Sequence, residues 1–466
     1  MFIVISAFVV EGLLCSALGM RNASADVCEI VSLLLMQVNA ILLCSYVANR
    51  YREYSRKVIF ALILSVILKV FLILWDYYGT SIFILPNSHA DSESYHWGAI
   101  AFVRTFSAKI ENYSYVVGGI YYLFGVQRMT AQFFNVILSF LGISILEKCL
   151  CEFDFQKESK EYTLILAALL PNYLIMSSVL IRECLISVII SLSLYFYIKW
   201  WKNGRTAYFV LSFLIVLGAC YFHSGAIAAA IGISMSLALT VESHDKRYRR
   251  LNLSFKTILL TAALFVLFMF LFSALSNSLL KRFGGLETSR IDTYIDEHNI
   301  YDSKTDDNGY ADMEEEDDSS SYTAGIAGYS GWQGVIINSP IRIVYFLWVP
   351  MPWDMRGIGD LIAFFGSSLF YGGTFFRAVR YWFKQNAYND KKALLVSVTL
   401  LAFSAALVFS RGVDSAGSAL RHREKFYYIF LLLYCLVYEW SHFTYEISSV
   451  QEMSAVGQTP YMTSNL

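Results

Sequence analysis

Residues 89–102, HADSESYHWGAIAF, set Asp91 and Glu93 two apart with His89 and His96 close by. Carboxylates and an imidazole in one short polar stretch can do general-base work or hold a divalent ion. A lone D-x-E is more often the make-up of a solvated loop. Tyr95 and Trp97 beside it suit either membrane-interface anchors or stacking on sugar rings. A second group lies far along the chain: RGVDSAGSALRHREK, residues 411–425, carries Arg411, Asp414, Arg421, His422, Arg423, Glu424 and Lys425. Arginine's planar fork matches phosphate oxygens in pairs, so this segment suits a phosphate or pyrophosphate. Pairing of Arg411 with Asp414 and of Arg423 with Glu424 would use up part of that charge.

The elements that must bring these groups together are apolar. Of 466 residues, 56% are hydrophobic and only 16% charged, with a mean hydropathy of +0.50. Ordinary soluble domains carry about 25% charged residues, so lipid is the solvent here and a soluble enzyme is excluded. A formal charge of -1 and no basic tract argue against a nucleic-acid partner. Most of the eight cysteines lie within apolar runs and show no CxxC or CxxH spacing, which argues against a disulfide framework and a zinc site. The first 19 residues have signal-peptide length but lack a basic start and contain Glu11, so they read as a retained helix.

Apolar runs bounded by charge fall at 2–19, 28–48, 58–75, 130–147, 162–181, 183–200, 206–221, 223–241, 257–277, 359–377, 393–410 and 426–441. Each approaches the length of about 20 residues that a membrane helix needs. The expected fold is therefore all-α, a polytopic bundle of about 12 transmembrane helices over residues 1–441. The clusters around Arg50, Lys148, Lys199, Lys246 and Arg377 mark cytoplasmic loops. Both termini, including the 442–466 tail, are then cytoplasmic in a multi-pass protein of the cell membrane. This parity requires that 113–126 and 341–353 be interfacial or re-entrant. Three loops face outward: 76–129, 278–358 and 411–425. The second contains an acidic run, 301–322, too polar to fold alone. There Asp306, Asn308, Gly309 and Glu315 fall at EF-hand offsets, but Lys304 takes the first ligand position, which argues against calcium. No internal repeat is visible.

Ionisable groups at membrane depth are candidates for function. On this topology Lys69 sits in the outer half of its helix, Arg182 and Glu183 at an outer junction, and His223 opens the eighth helix. Arg356 lies near the outer end of the tenth. The anion-binding candidates are therefore Arg182, Glu183, His223, Arg356, Arg411, Arg421, His422 and Arg423. Lys69 and Arg128 are weaker ones, because a lone cation can snorkel or pair locally.

The order of these features resembles the GT-C superfamily of membrane glycosyltransferases. The likeness is carried by ADSESYHWGAIAF, by YYLFGVQRMTAQFFNVILSFLGISIL at 121–146 with its LFG turn, and by LAALLPNYLIMSSVLIRECLI at 166–186 with Pro171 and Arg182-Glu183. It covers residues 57–240. The chain departs in having two helices before the one that leads into the loop carrying Asp91, Tyr115-Val116-Val117-Gly118 where a proline pair is common, and no large C-terminal domain. The extra helices and the arginine-rich last loop also look like O-antigen and capsule repeat-unit polymerases. The resemblance implies an inverting, external transfer from a polyprenyl-phosphate or pyrophosphate sugar to a glycan or lipid hydroxyl in polysaccharide assembly. It implies Asp91 as base, with Glu93 or His96 as helper or metal ligand; a divalent ion is compatible but not required, and assembly partners are compatible too. A lipid-linked oligosaccharide flippase and a non-catalytic membrane partner remain as readings of other classes.

Overall fold

Inside a bilayer each backbone polar group needs a partner within the chain, which leaves helices as the economical way across. A computed structural model describes residues 1–88, 91–106, 110–242, 249–251, 331–355, 357–384, 390–411 and 415–456. The described chain is helical apart from one short antiparallel pair, Thr240–Glu242 with Arg249–Leu251. The first eleven helices are α1 (Phe2–Ala17), α2 (Ala25–Arg50), α3 (Arg56–Tyr78), α4 (Asp91–Thr105), α5 (Asn112–Phe124), α6 (Arg128–Cys151), α7 (Lys157–Leu169), α8 (Pro171–Met176), α9 (Glu183–Asn203), α10 (Thr206–Phe222) and α11 (Ile227–Leu239). After the strands come α12 (Gly331–Trp348), α13 (Ile358–Ala363), α14 (Leu369–Lys384), α15 (Asp390–Phe409), α16 (Ala416–Glu424) and α17 (Tyr427–Val456). Among the described residues, α2, α3, α6, α9 and the Lys392–Phe409 part of α15 are long and apolar enough to cross a membrane. The expected span 257–277, the acidic run 301–322 and Arg356 lie outside the described residues.

Three boundaries differ from expectation. The run 162–181 is not one helix: Pro171 cannot donate to the preceding turn, so α7 ends at Leu169 and a new helix starts with Pro171 at its first position. The run 359–377 is interrupted by a π-helical turn at Phe364–Ser368. The last helix continues to Val456, so the start of the expected tail is helical.

Helix α3 shows how the bundle is organised. Val58, Leu62, Ser65, Lys69, Ile73 and Asp76 recur at helical spacing and are buried, whereas Phe60, Ile67 and Phe71 face outward. The buried face mixes aliphatic and polar groups, while aromatic and aliphatic groups such as Phe60, Ile67 and Phe71 are the ones left outward, as lipid allows. Helix α6 is buried around most of its circumference and forms the centre, with α2, α3, α9 and α17 packed about it. Close approach depends on small residues. A Cβ at Gly142 would come within 2.2 Å of the Tyr428 hydroxyl, so only glycine lets α17 reach α6 there. Ser193 and Ser212 each donate to the other's carbonyl at 2.9 Å, which ties α9 to α10.

The charged ends of α3 and α6 lie side by side. Asp76 near the end of α3 lies 3.4 Å from Arg128 at the start of α6, so the intervening α4–α5 hairpin leaves and rejoins the bundle at one end. The LFG turn closes the hairpin. Gly125 has φ +89, a left-handed conformation costly for other residues, and a Cβ there would sit 2.8 Å from the Met20 carbonyl. The basic clusters at Arg50, Lys148 and Lys199 gather at the opposite end, where Arg50 meets Glu147 at 2.5 Å and Lys199 meets Glu152.

Candidate functional site

The site forms where α3 ends and α4, α6, α9 and α17 begin. Asp91 and Glu93 fall in the first turn of α4, where the helix dipole favours negative charge. Ser92, Tyr95, Ala99 and Val103 form the buried stripe of that helix. Arg128 holds this turn in place. Its guanidinium pairs with Glu93 and donates to Ser92 Oγ at 2.6 Å and to the Ser88 carbonyl at 3.0 Å, besides facing Asp76. Gln132, one turn along α6, donates to Asp76 at 2.5 Å. The weaker candidate Arg128 thus acts as a clamp that fixes the two acids.

Arg421 completes the arrangement from the far end of the chain. One edge of its guanidinium pairs with Asp91, and its Nε donates to Glu183 at 2.7 Å. The same Glu183 oxygen accepts from Lys425 Nζ at 3.0 Å. Glu183 and Lys425 have 0% exposed side chains, Arg421 16% and Asp91 38%, so the chain of charges runs from a fully buried pair to an accessible carboxylate. Ser415 caps α16, and the basic residues fall in its last turn, where they complement the dipole. Arg421 and Lys425 are one turn apart and share a face.

Arg182 pairs with Glu111 at 3.0 Å and lies 5.7 Å from the centre of the Tyr95 ring. Tyr95 itself is fully buried and its hydroxyl makes no hydrogen bond. Further buried atoms here lack partners: Asp76 Oδ1, Gln132 Oε1, Arg128 Nε, Arg182 Nε and Glu183 Oε2. Unsatisfied buried polar atoms are rare and mark places where a ligand or water completes the bonding. His96 lies on α4 with its Nδ1 2.6 Å from the Tyr121 hydroxyl. Burial first, then the Arg128 charge, hold the imidazole below its ordinary pKa, with Glu93 opposing. A neutral His96 and the Tyr121 hydroxyl share one hydrogen bond whose donor is set by the imidazole tautomer.

Other expected members are used elsewhere. Arg423 is two residues from Arg421, about 200° around the helix, and so points away from Asp91. It is buried and donates to the carbonyls of Leu347 and Val349, both at 2.7 Å, which caps the end of α12 rather than a phosphate. Glu424 is not its partner; it accepts from Asn172 at 2.5 Å and from Tyr371 at 2.9 Å. Arg411 bonds Ser339 on α12. His422 lies 2.5 Å from Lys425 and 5.3 Å, ring to ring, from His223, so both histidines border the buried end of the cluster. Lys69 sits deeper, bonded to Ser139 at 2.6 Å and facing Phe140 and Tyr173. Among the described residues no three His, Cys, Asp or Glu side chains are grouped to hold a metal ion.

Sequence reasoning did not single out Gln132, and left Asp76 and Lys425 out of the candidate site although Lys425 belongs to the charged run 411–425. Asp76 lies seven residues from Lys69 on the inward stripe of α3, and Lys425 one turn beyond Arg421; that periodicity was the available signal. Comparison of the chain with protein-family models, with curated proteins and with solved structures returned no match. Fold and site together define a polytopic helical membrane protein with a partly accessible acid–arginine cluster at one end of its bundle.

Proposed function

We propose that the chain is a membrane glycosyltransferase of cell-surface polysaccharide assembly. On this reading it uses a polyprenyl-phosphate or pyrophosphate sugar on the external face, crosses the membrane twelve times and has a GT-C-type architecture. The observation that carries the reading is Arg421 joined to Asp91 and Glu183, groups brought from α4, α9 and α16 to one place. A base and a cation side by side are what glycosyl transfer from a lipid phosphate needs. Asp91 takes the acceptor proton as the acceptor oxygen bonds to the anomeric carbon. The bond from that carbon to the phosphate oxygen breaks, and its electron pair leaves with the phosphate, whose charge Arg421 offsets. Repeat-unit polymerisation is the same chemistry with a glycan as acceptor.

A flippase would spread cations along a central path at several depths, whereas this cluster is concentrated at one end. Membranes containing the protein, supplied with radiolabelled polyprenyl-linked sugar, are expected to elongate glycan. Asp91→Asn is expected to lower this by about 100-fold or more, the usual share of a general base, at unchanged expression. Undiminished turnover in that variant would remove Asp91 from the mechanism.

A further inference from the structure

The two edges of the Arg421 guanidinium are held very differently. The Nε edge rests on Glu183, a fully buried carboxylate that also bonds the fully buried Lys425. Breaking that contact strands charge in a low-dielectric setting, so it is the fixed edge. The other edge faces Asp91, whose side chain is 38% exposed. Ion pairs that reach solvent contribute little and exchange readily. If Asp91 turns away, Arg421 and Lys425 stand against Glu183 alone, two positive charges to one negative.

Resting on the glycosyltransferase reading, we propose that this Asp91-facing edge of Arg421 is an exchangeable anion seat for which Asp91 and the phosphate of a lipid-borne headgroup compete. Glu183 and Lys425 are the pedestal that aims the fork. A phosphate offers more charge and more acceptor oxygens than a carboxylate, so it takes the Nη edge by charge-assisted bonds and releases Asp91. The base is thus freed by the arrival of the leaving group it will work with. Donor binding and base activation become one event, and the contact between Asp91 and Arg421 holds the site inactive otherwise. Arg182 bonds Glu111, and its charge also acts on Glu183 and Lys425, so it belongs to the pedestal rather than to the exchanging edge.

The consequence is unusual for a base: removing it improves binding. Full-length protein in detergent is dialysed to equilibrium against radiolabelled farnesyl diphosphate, with unlabelled inorganic pyrophosphate as competitor. Asp91→Asn, and as a second variant Asp91→Ala, are expected to bind farnesyl diphosphate roughly 3- to 10-fold more tightly than the parent, the scale of one partly exposed competing ion pair. In an Arg421→Gln background, binding is weaker and Asp91→Asn changes it no further, which isolates the coupling between the two side chains. Competition by pyrophosphate at similar affinity assigns the seat to the anion in general; failure to compete assigns it to the lipid-borne form.

Unchanged or weaker binding in both Asp91 variants overturns the exchange, as does absence of binding in parent and variants alike. Equal tightening with and without Arg421 overturns it too, because the effect is then bulk charge. The outcome separates from that of the preceding proposal. Tighter binding without any sugar transfer keeps the seat and sinks the glycosyltransferase; transfer without tightening does the reverse.

Discussion

Both ends of α6 are lined with charge, and the carboxylates at the two ends are satisfied to different degrees. At the Cys151 end, Glu147 bonds Arg50 through one oxygen and Tyr54 through the other. Glu152 divides its oxygens between Lys199 and Lys202. Both Glu439 oxygens accept from the Gln156 amide, and one also from Ser159. At the Arg128 end, Asp76 and Glu183 are more deeply buried than most of these, yet each engages a single oxygen, with Asp76 Oδ1 and Glu183 Oε2 unbonded. The buried Tyr51 and Ser55 hydroxyls at the Cys151 end are unbonded too, so the contrast lies in the carboxylates alone. A buried carboxylate oxygen left open beside an accessible acid has the character of a site.

The contrast can be broken most sharply by asking which side each end faces. With native cysteines replaced, Trp97→Cys on α4 is expected to label fully with a membrane-impermeant thiol reagent applied outside, and Lys157→Cys at the opposite end to remain unlabelled. The reverse pattern would put the acid–arginine cluster in the cytoplasm and end the external-transfer reading.

Stability offers the next test. Glu183→Gln leaves Lys425 as a buried cation with its counter-charge removed, which is expected to cost about 3 kcal/mol. Glu147→Gln leaves Arg50, whose side chain is 43% exposed, free to hydrate, at a cost of about 1 kcal/mol or less. Thermal unfolding in detergent reads both, and equal losses would erase the distinction between the ends.

The smallest effect concerns pH. His96 is held below its ordinary value of about 6.5, so on acidification the unfolded chain takes up this proton before the folded one does. Stability is therefore expected to fall as pH drops below about 6.5, by about 2 °C in the unfolding midpoint because the ring is only partly shielded from solvent. His96→Gln should flatten that slope; an unchanged slope would show that the histidine is not held neutral.

Much of the candidate site was legible because its residues violate the lipid environment. Arg182, Glu183, Arg421 and Lys69 stand out against apolar runs, and Asp91 with Glu93 stand out as a polar start to a helix. Their division of labour was not legible. Arg421 and Arg423 look alike in RHREK, but one meets Asp91 and the other caps α12. Arg128 read as a lone cation because its partners Ser88, Glu93 and Asp76 belong to segments that approach it only when the α4–α5 hairpin folds back. Pro171 carried a readable warning of the helix break that the apolar run 162–181 concealed.

Composition and period alone decided that this protein is a helical bundle in lipid, because backbone hydrogen bonding in a bilayer permits little else and charge at depth is costly whatever the partners. Only the tertiary structure decided which charges meet. Ion pairing depends on separations of a few ångströms between groups that lie far apart along the chain, and those are set by the packing of α6 against its neighbours and by which face of α16 each arginine occupies.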